Sequence, residues 1–202
     1  IQSIYDIITI GGGVRDYLAI TSQDKIITDT KGLIKRKLLA FEFGAKIVIS
    51  ELASSLGGGA CNVAVGASRL GLKVGILANL SADDDGQWAA KILKKEGIDT
   101  SFLTFDKTLP IGFSFVVIDK AKGDHTLFSY RGANDNLKIK LPSRIETHWL
   151  YLASLSGKNW LNQLNRVKQI CQKQKIKLAF NPGALQIEGG INKLKNILKL
   201  TR

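Results

Sequence analysis

Five short clusters in this chain have the residue types and spacing to handle a polar ligand. Gly11-Gly12-Gly13 closes an apolar run and leads at once to Asp16. Glycine lets a backbone approach a ligand closely, and a carboxylate at a strand tip can accept hydrogen bonds from substrate hydroxyls. A turn-stabilising Asp is the plain alternative. Gly57-Gly58-Gly59 opens a second element, with Asn62 in its first turn. The N–H groups at a helix start favour oxygen-rich or anionic ligands. Asn62 adds a donor and an acceptor, and asparagine is mildly unfavourable within a helix unless its side chain has a task. Ser81-Ala82-Asp83-Asp84-Asp85-Gly86 lacks the alternating ligands and distal Glu of an EF-hand. An acidic helix start complementing the dipole accounts for it. Arg131, in Tyr130-Arg131-Gly132-Ala133-Asn134, could reach a hydroxyl or phosphate, or simply occupy a surface turn. Asn181-Pro182-Gly183 ends an apolar run where a ligand or a Pro-Gly turn would each fit.

Two familiar phosphate-binding patterns are excluded. The first glycine cluster has Asp16 where a dinucleotide fingerprint needs its third glycine, and Tyr17 to Ser22 reads as extended. The second lacks the Lys and Ser/Thr that complete a P-loop.

The elements that must position these residues follow from the apolar pattern. Ile4 to Ile10 is a short run suited to a buried parallel strand. Tyr17–Ser22, Lys25–Thr30 and Lys46–Ser50 read as further strands. A helix is expected from about Ala60 to Leu70, ended by Gly71, then a strand over Lys73–Ala78 and a helix over Gln87–Lys95, ended near Gly97. Three strands follow with little helix between them: Phe102–Phe105, Gly112–Asp119 and His125–Tyr130. Strand–helix alternation then resumes, with strands over His148–Ala153 and Lys177–Phe180 and helices over Asn159–Gln174 and Ile191–Leu200. The expected architecture is a doubly wound α/β body with a small β-sheet grown from its crossover loops. Such a sheet suits a lid over the carboxyl ends of the strands.

Composition bounds the rest. The 202 residues suffice for one α/β domain, alone or with a small appendage. No apolar run reaches the length of a membrane span. Cys61 and Cys171 are isolated, and His125 and His148 lack partners at ligand spacing. The cysteines suggest neither a disulfide framework nor a zinc site, and a reducing cytoplasm is the simplest compartment. The net charge of +12 comes from scattered lysines. Beyond Lys158 they interleave with Leu161, Leu164, Val167 and Cys171 at helical spacing, as on a solvated helix face. No aromatic platform accompanies them, so neither nucleic acid nor membrane is an expected partner. Met is absent and the chain stops at Leu200-Thr201-Arg202, so both ends read as those of a partial chain.

Taken in order, these segments resemble the ribokinase-like (PfkB) family of carbohydrate kinases. The likeness runs from Gly57-Gly58-Gly59-Ala60-Cys61-Asn62-Val63-Ala64 through Arg69-Leu70-Gly71, Asp83 and Gly86. It continues in Gly97-Ile98-Asp99-Thr100, Thr108–Ser114, Arg131-Gly132-Ala133-Asn134 and Asn181-Pro182-Gly183.

The resemblance implies a ribokinase-like, mostly parallel sheet with a β-sheet lid. The whole of 1–202 would be an incomplete kinase domain, with lid strands within about 16–31, 46–52 and 102–131. It also implies transfer of the γ-phosphoryl of ATP, with Mg2+, to a sugar-like hydroxyl. Asp16, Gly57, Gly58, Gly59 and Asn62 would hold the sugar, Phe113 and Phe115 would cover it, Arg131 would assist, and Asn181 would lie on the nucleotide side. The edges of such a lid sheet otherwise stay open and could pair across a homodimer. A nucleoside kinase, or an inactive sugar-binding or dimerisation fragment, is the alternative.

Three departures stand out. Ser81 replaces a usual Gly, and no Glu occurs in Leu152-Ala153-Ser154-Leu155-Ser156, where ribokinase contacts its sugar. The Asn-x-x-Glu and Asp-Thr-x-Gly-Ala-Gly-Asp elements, which would bring the anion hole and catalytic base, do not occur in these residues. No catalytic residue and no metal ligand is therefore expected within them.

Overall fold

The computed structural model describes residues 5–30 and 35–201. Ile4, position 31 of the first lid range and Arg202 lie outside them. The chain divides into two compact units. One comprises residues 1–15, 56–112 and 131–202, the other 16–55 and 113–130.

The first unit is built on four parallel strands. They are β1 (Tyr5–Ile10), β6 (Val74–Leu77), β11 (Thr147–Leu152) and β12 (Lys177–Phe180), in the order β12-β11-β1-β6. Strand alternation divides their side chains between two helix layers. Ile8, Ile10, Leu77, Leu150, Leu152 and Leu178 pack with α3 (Trp160–Gln174) and α5 (Ile191–Leu198). Ile7, Val74 and Ile76 pack instead with α1 (Gly59–Arg69) and with Leu93 of α2 (Asp84–Lys95). Helices on both faces of a parallel sheet are the doubly wound arrangement that strand–helix alternation requires. A short pair, β7 (Asn79–Ser81) with β8 (Thr104–Asp106), is also parallel, and α4 (Ala184–Glu188) follows β12.

The second unit holds most of the four-stranded sheet β10-β9-β2-β5, with the hairpin of β3 (Lys25–Asp29) and β4 (Arg36–Ala40). In that sheet β2 is Val14–Thr21, β5 is Glu51–Gly57, β9 is Gly112–Asp119 and β10 is His125–Tyr130. β9 and β10 are antiparallel, with Phe115 opposite Phe128.

Two expected strands are corrected. Lys46–Ser50 is not a strand; the strand begins at Glu51 and runs into Gly57. The expected Phe102–Phe105 strand forms as β8, but it pairs with β7 in the first unit instead of joining β9 and β10. Both segments are apolar and extended, and that pattern does not say which partner an edge will find. A difference at the chain's far end is smaller: α5 stops at Leu198, and Thr201 forms a parallel bridge to Leu178.

The acidic segment is a helix start, as its pattern suggests. Asp83 is the N-cap of α2 and accepts from the Gly86 N–H at 3.1 Å. The Ser81 hydroxyl donates to the same carboxylate, so the residue that departs from the family pattern has a partner here. That bond, with the backbone N–H groups, holds the Asp83 carboxyl below its ordinary range. Gly86 is required by packing: a Cβ there would lie 1.8 Å from the Ser81 carbonyl oxygen. Asp83→Ala is expected to cost about 1 kcal/mol, lowering the melting temperature by roughly 2–4 °C at neutral pH. A group whose folded pKa is depressed stabilises above its unfolded value and loses that effect as pH falls. The difference between variant and parent in thermal denaturation should therefore vanish in strong acid.

Candidate functional site

All four strands of the main sheet are parallel, so their carboxyl ends share one edge. From β1 the chain passes through α1 to β6, while β11 lies on the other side of β1. The switch point of the sheet therefore falls between β1 and β11, where open α/β sheets form their ligand crevice. The first glycine cluster and the Ala153–Gly157 segment leave the sheet there.

Close approach of backbones explains the glycines at this edge. A Cβ on Gly11 would stand 2.8 Å from the Ala153 Cβ, and one on Gly59 would stand 2.9 Å from the same atom. Gly58 has φ +96°, and its Cβ would fall 2.4 Å from the Gly12 carbonyl oxygen. The Ala60 N–H donates to that oxygen at 3.3 Å, so a first-turn donor of α1 is spent on the neighbouring loop. Cys61 packs below, 3.0 Å from the Cβ position of Gly13, and burial pushes its thiol up to about 12.

Asn134 fastens this edge. It is buried, accepts from the Gly13 N–H at 3.0 Å, and donates through Nδ2 to the Gly13 carbonyl at 3.0 Å. The amide thus completes a backbone-like pair across the glycine loop. Gly112 makes room for it, since a Cβ there would meet Nδ2 at 2.4 Å. Asn79 supports the same segment by donating to the Ala133 carbonyl at 2.7 Å.

The other expected residues of this unit are more open. Asn62 is exposed on α1, its backbone N–H bonded to the Gly58 carbonyl at 2.9 Å. Gly57 is buried and ends β5. Arg131 is exposed. Asn181 follows β12 and is exposed, with Nδ2 3.4 Å from the Tyr151 hydroxyl. Beside it, the buried Gln186 accepts from the Gly183 N–H at 3.0 Å and donates to the Leu155 carbonyl at 2.6 Å.

In the second unit, Asp16 lies in β2, half-buried. Burial raises its carboxyl above the ordinary value, and a hydrogen bond from Ser114 of β9 partly offsets the rise. Alternation along β9 puts Phe113 and Phe115 on the face opposite Ser114. There Phe113 stacks on Tyr130 with ring centroids 5.5 Å apart. Phe115 lines an apolar cavity of about 240 Å³ with Ala19, Phe41, Ile49 and Phe128. Both phenylalanines thus stand on the face of their strand opposite Ser114.

Three contributors stand outside the expected site residues: Asn134 as the clamp, Ser114 of β9, and Gln186. Asn134 carries a signal in its place directly after Gly132-Ala133, in the motif of which only Arg131 is an expected site residue. Ser114 and Gln186 carried none, because their partners come from other strands and loops.

The fold and this glycine-lined edge define an α/β protein of the ribokinase-like kind. The chain belongs to the pfkB family of carbohydrate kinases, whose model matches residues 31–200. It is similar to a ribokinase of Dictyostelium discoideum, 29% identical over 162 residues, covering 78% of this chain and 45% of that protein. A 5-dehydro-2-deoxygluconokinase of Geobacillus kaustophilus (strain HTA426) is 33% identical over 96 residues, covering 47% of this chain and 28% of that protein. Among solved structures, the Methanocaldococcus jannaschii nucleoside kinase aligns with a TM-score of 0.76 at 20% identity, over 99% of this chain and 60% of that one. Giardia lamblia ribokinase aligns at 0.72 and 19%, over 98% and 56%. The chain therefore spans less than half the length of these curated relatives.

The anion-hole element is absent from the sequence. Among the described residues no three His, Cys, Asp or Glu side chains gather as metal ligands. Nor is any described helix long and apolar enough to cross a membrane.

Proposed function

We propose that these residues form the sugar-binding part of an ATP-dependent carbohydrate kinase. In the first unit the residues proposed to meet the sugar are Gly57, Gly58, Gly59 and Asn62; Asp16 is a separate candidate within the second unit. The observation that carries the reading is the glycine-lined carboxyl edge at the switch point, where Gly11, Gly58 and Gly59 leave no room for side chains. Bare backbone at that position can present N–H and C=O groups to a polyol. Phosphoryl transfer depends on positioning and charge stabilisation; Asn181 is the residue proposed here for the nucleotide side, and the Asp-Thr-x-Gly-Ala-Gly-Asp element does not occur in these residues. The curated relatives are named 5-dehydro-2-deoxygluconokinase and ribokinase, which supports the acceptor class and leaves the individual sugar open. Ribose is disfavoured by the lack of a Glu in the Ala153–Ser156 segment.

The test is a panel of sugars and nucleosides, measured by calorimetry for binding and by ATP consumption for turnover. It is run on this chain and on the longest product of its gene. Binding of a sugar by both, with turnover only in the longer product, is expected. Turnover at a sugar hydroxyl by the 202 residues alone overturns the division of labour. Saturation by nucleosides only selects the nucleoside-kinase alternative.

A homodimer through the sheet of the second unit belongs to the same proposal. It is supported by the apolar side chains that unit exposes, among them Leu52, Leu127 and Phe128. Sedimentation of the same samples reads it directly.

A further inference from the structure

We propose that Gln186 is a positioning residue for phosphoryl transfer: its amide ties the Asn181-Pro182-Gly183 turn to the segment that follows β11, and so fixes where Asn181 stands beside the switch point. The inference rests on the sugar-kinase reading above and adds to it a residue that acts only through the turn it holds.

β11 and β12 run parallel as far as Leu152 and Phe180, and the Asn181 N–H then bonds to the Leu152 carbonyl at 2.9 Å. Beyond that rung the two chains leave the sheet, one as Ala153–Gly157 and the other as the Asn181–Gly183 turn. Gln186 supplies the next connection. Its Oε1 accepts from the Gly183 N–H at 3.0 Å, and its Nε2 donates to the Leu155 carbonyl at 2.6 Å. An amide used in this way stands in for a peptide group inserted between the two segments. The approach is close: a Cβ on Gly183 would lie 2.3 Å from the Ser154 hydroxyl oxygen. The segment after β11 is held in turn by the Ala153 N–H, which donates to the Ile10 carbonyl of β1 at 2.8 Å. Bonds therefore run from β1, at the switch point, to the Asn181 turn, all within the first unit.

Apolar packing does not account for this arrangement. Gln186 is 0% exposed, whereas its neighbours in α4, Leu185 and Ile187, are 43% and 63% exposed. Burial of apolar surface would turn the helix the other way, since hiding a polar side chain costs free energy and hiding an apolar one gains it. Bonding of both amide atoms offsets that cost. A helix that hides its Gln and shows its Leu and Ile breaks the ordinary pattern, and such departures collect where function constrains the fold.

Phosphoryl transfer is sensitive to position: a displacement of about 1 Å can lower the rate about a hundredfold. Without the amide the turn keeps the Asn181 rung, so Asn181 is displaced and not lost. The sugar residues of the first unit belong to the end of β5 and the start of α1, and this amide does not hold them.

The test is made in the longest product of the gene, with two variants. Gln186→Met is close in volume and cannot bridge the segments. Gln186→Glu keeps the acceptor for Gly183 but sets a second acceptor against the Leu155 carbonyl, and it covers the case in which the Met variant does not fold. Both are expected to lower kcat by about tenfold to a hundredfold. The KM for the sugar should stay near that of the parent, and hydrogen exchange at the Gly183 amide should accelerate. A residue that only stabilises the fold would lower the melting temperature and leave kcat, measured well below it, unchanged. That result overturns the proposal and leaves the kinase reading intact. A loss of sugar affinity in step with kcat also overturns it, because the damage is then general. A parent product that turns over no sugar overturns the kinase reading itself, and the role of Gln186 with it.

Discussion

Replacing Asp16 by asparagine is expected to weaken sugar binding by about a hundredfold while leaving the chain at least as stable at neutral pH. Asparagine keeps the volume but exchanges one acceptor oxygen for a donor and removes the charge. Hydrogen bonds to a charged group contribute roughly 1.5–3 kcal/mol each, so losing two corresponds to about two or more powers of ten in affinity. The stability half of the expectation follows from the pKa shift. Burial raises the Asp16 carboxyl above its ordinary value. A carboxyl with a raised folded pKa favours folding when protonated, and that contribution is lost as pH rises through the folded value. Above it, the parent carries a partly buried charge that Asp16→Asn does not. Calorimetric titration beside thermal denaturation separates the two effects. A variant that binds like the parent removes Asp16 from the site. A variant that loses both binding and fold makes it a structural residue instead. Opposite movements of stability and function are the pattern expected of a group kept for its chemistry.

The second large effect concerns the clamp on the glycine loop. Asn134→Ala should lower stability by about 3 kcal/mol, since the buried Gly13 N–H and C=O lose both partners and a void remains. For a protein of this size that is roughly a 6–12 °C fall in melting temperature. Asn134→Asp should be at least as damaging. The new oxygen faces the Gly13 carbonyl, and a buried charge gains no opposite partner. Hydrogen exchange at the Gly13 amide locates the loss: it should accelerate more than the amides of β1, which belong to the sheet ladder. A melting temperature within 2 °C of the parent would show that water replaces the clamp at about equal free energy.

Asp16 and Asn134 differ in how far their places are legible in the sequence. Asp16 follows a strand and a glycine cluster in unbroken succession, so one local segment singles it out as a candidate. Asn134 acts 121 residues from Gly13. Its segment could be picked out as polar and turn-like, but nothing local distinguishes Arg131, which ends exposed, from Asn134, which ends buried.

Most of the parallel sheet and its helices could be read directly, because apolar periodicity and terminal glycines are local properties of the chain. Ile8 and Ile10 against Ile7, or Leu164 and Val167 along α3, declare their faces by spacing alone. The glycines at 57–59 likewise announced a helix opened by bare backbone, and Asp83 announced its cap. Pairing was decided only in three dimensions. Strand alternation tells that Phe113 and Ser114 face opposite ways, and it leaves open which of them meets Asp16. The same limit sent β8 to β7 and moved an expected strand from Lys46–Ser50 to Glu51–Gly57. Register is set by which surfaces bury best against each other across long stretches of chain. That free energy belongs to the assembled layers and not to any one segment of sequence.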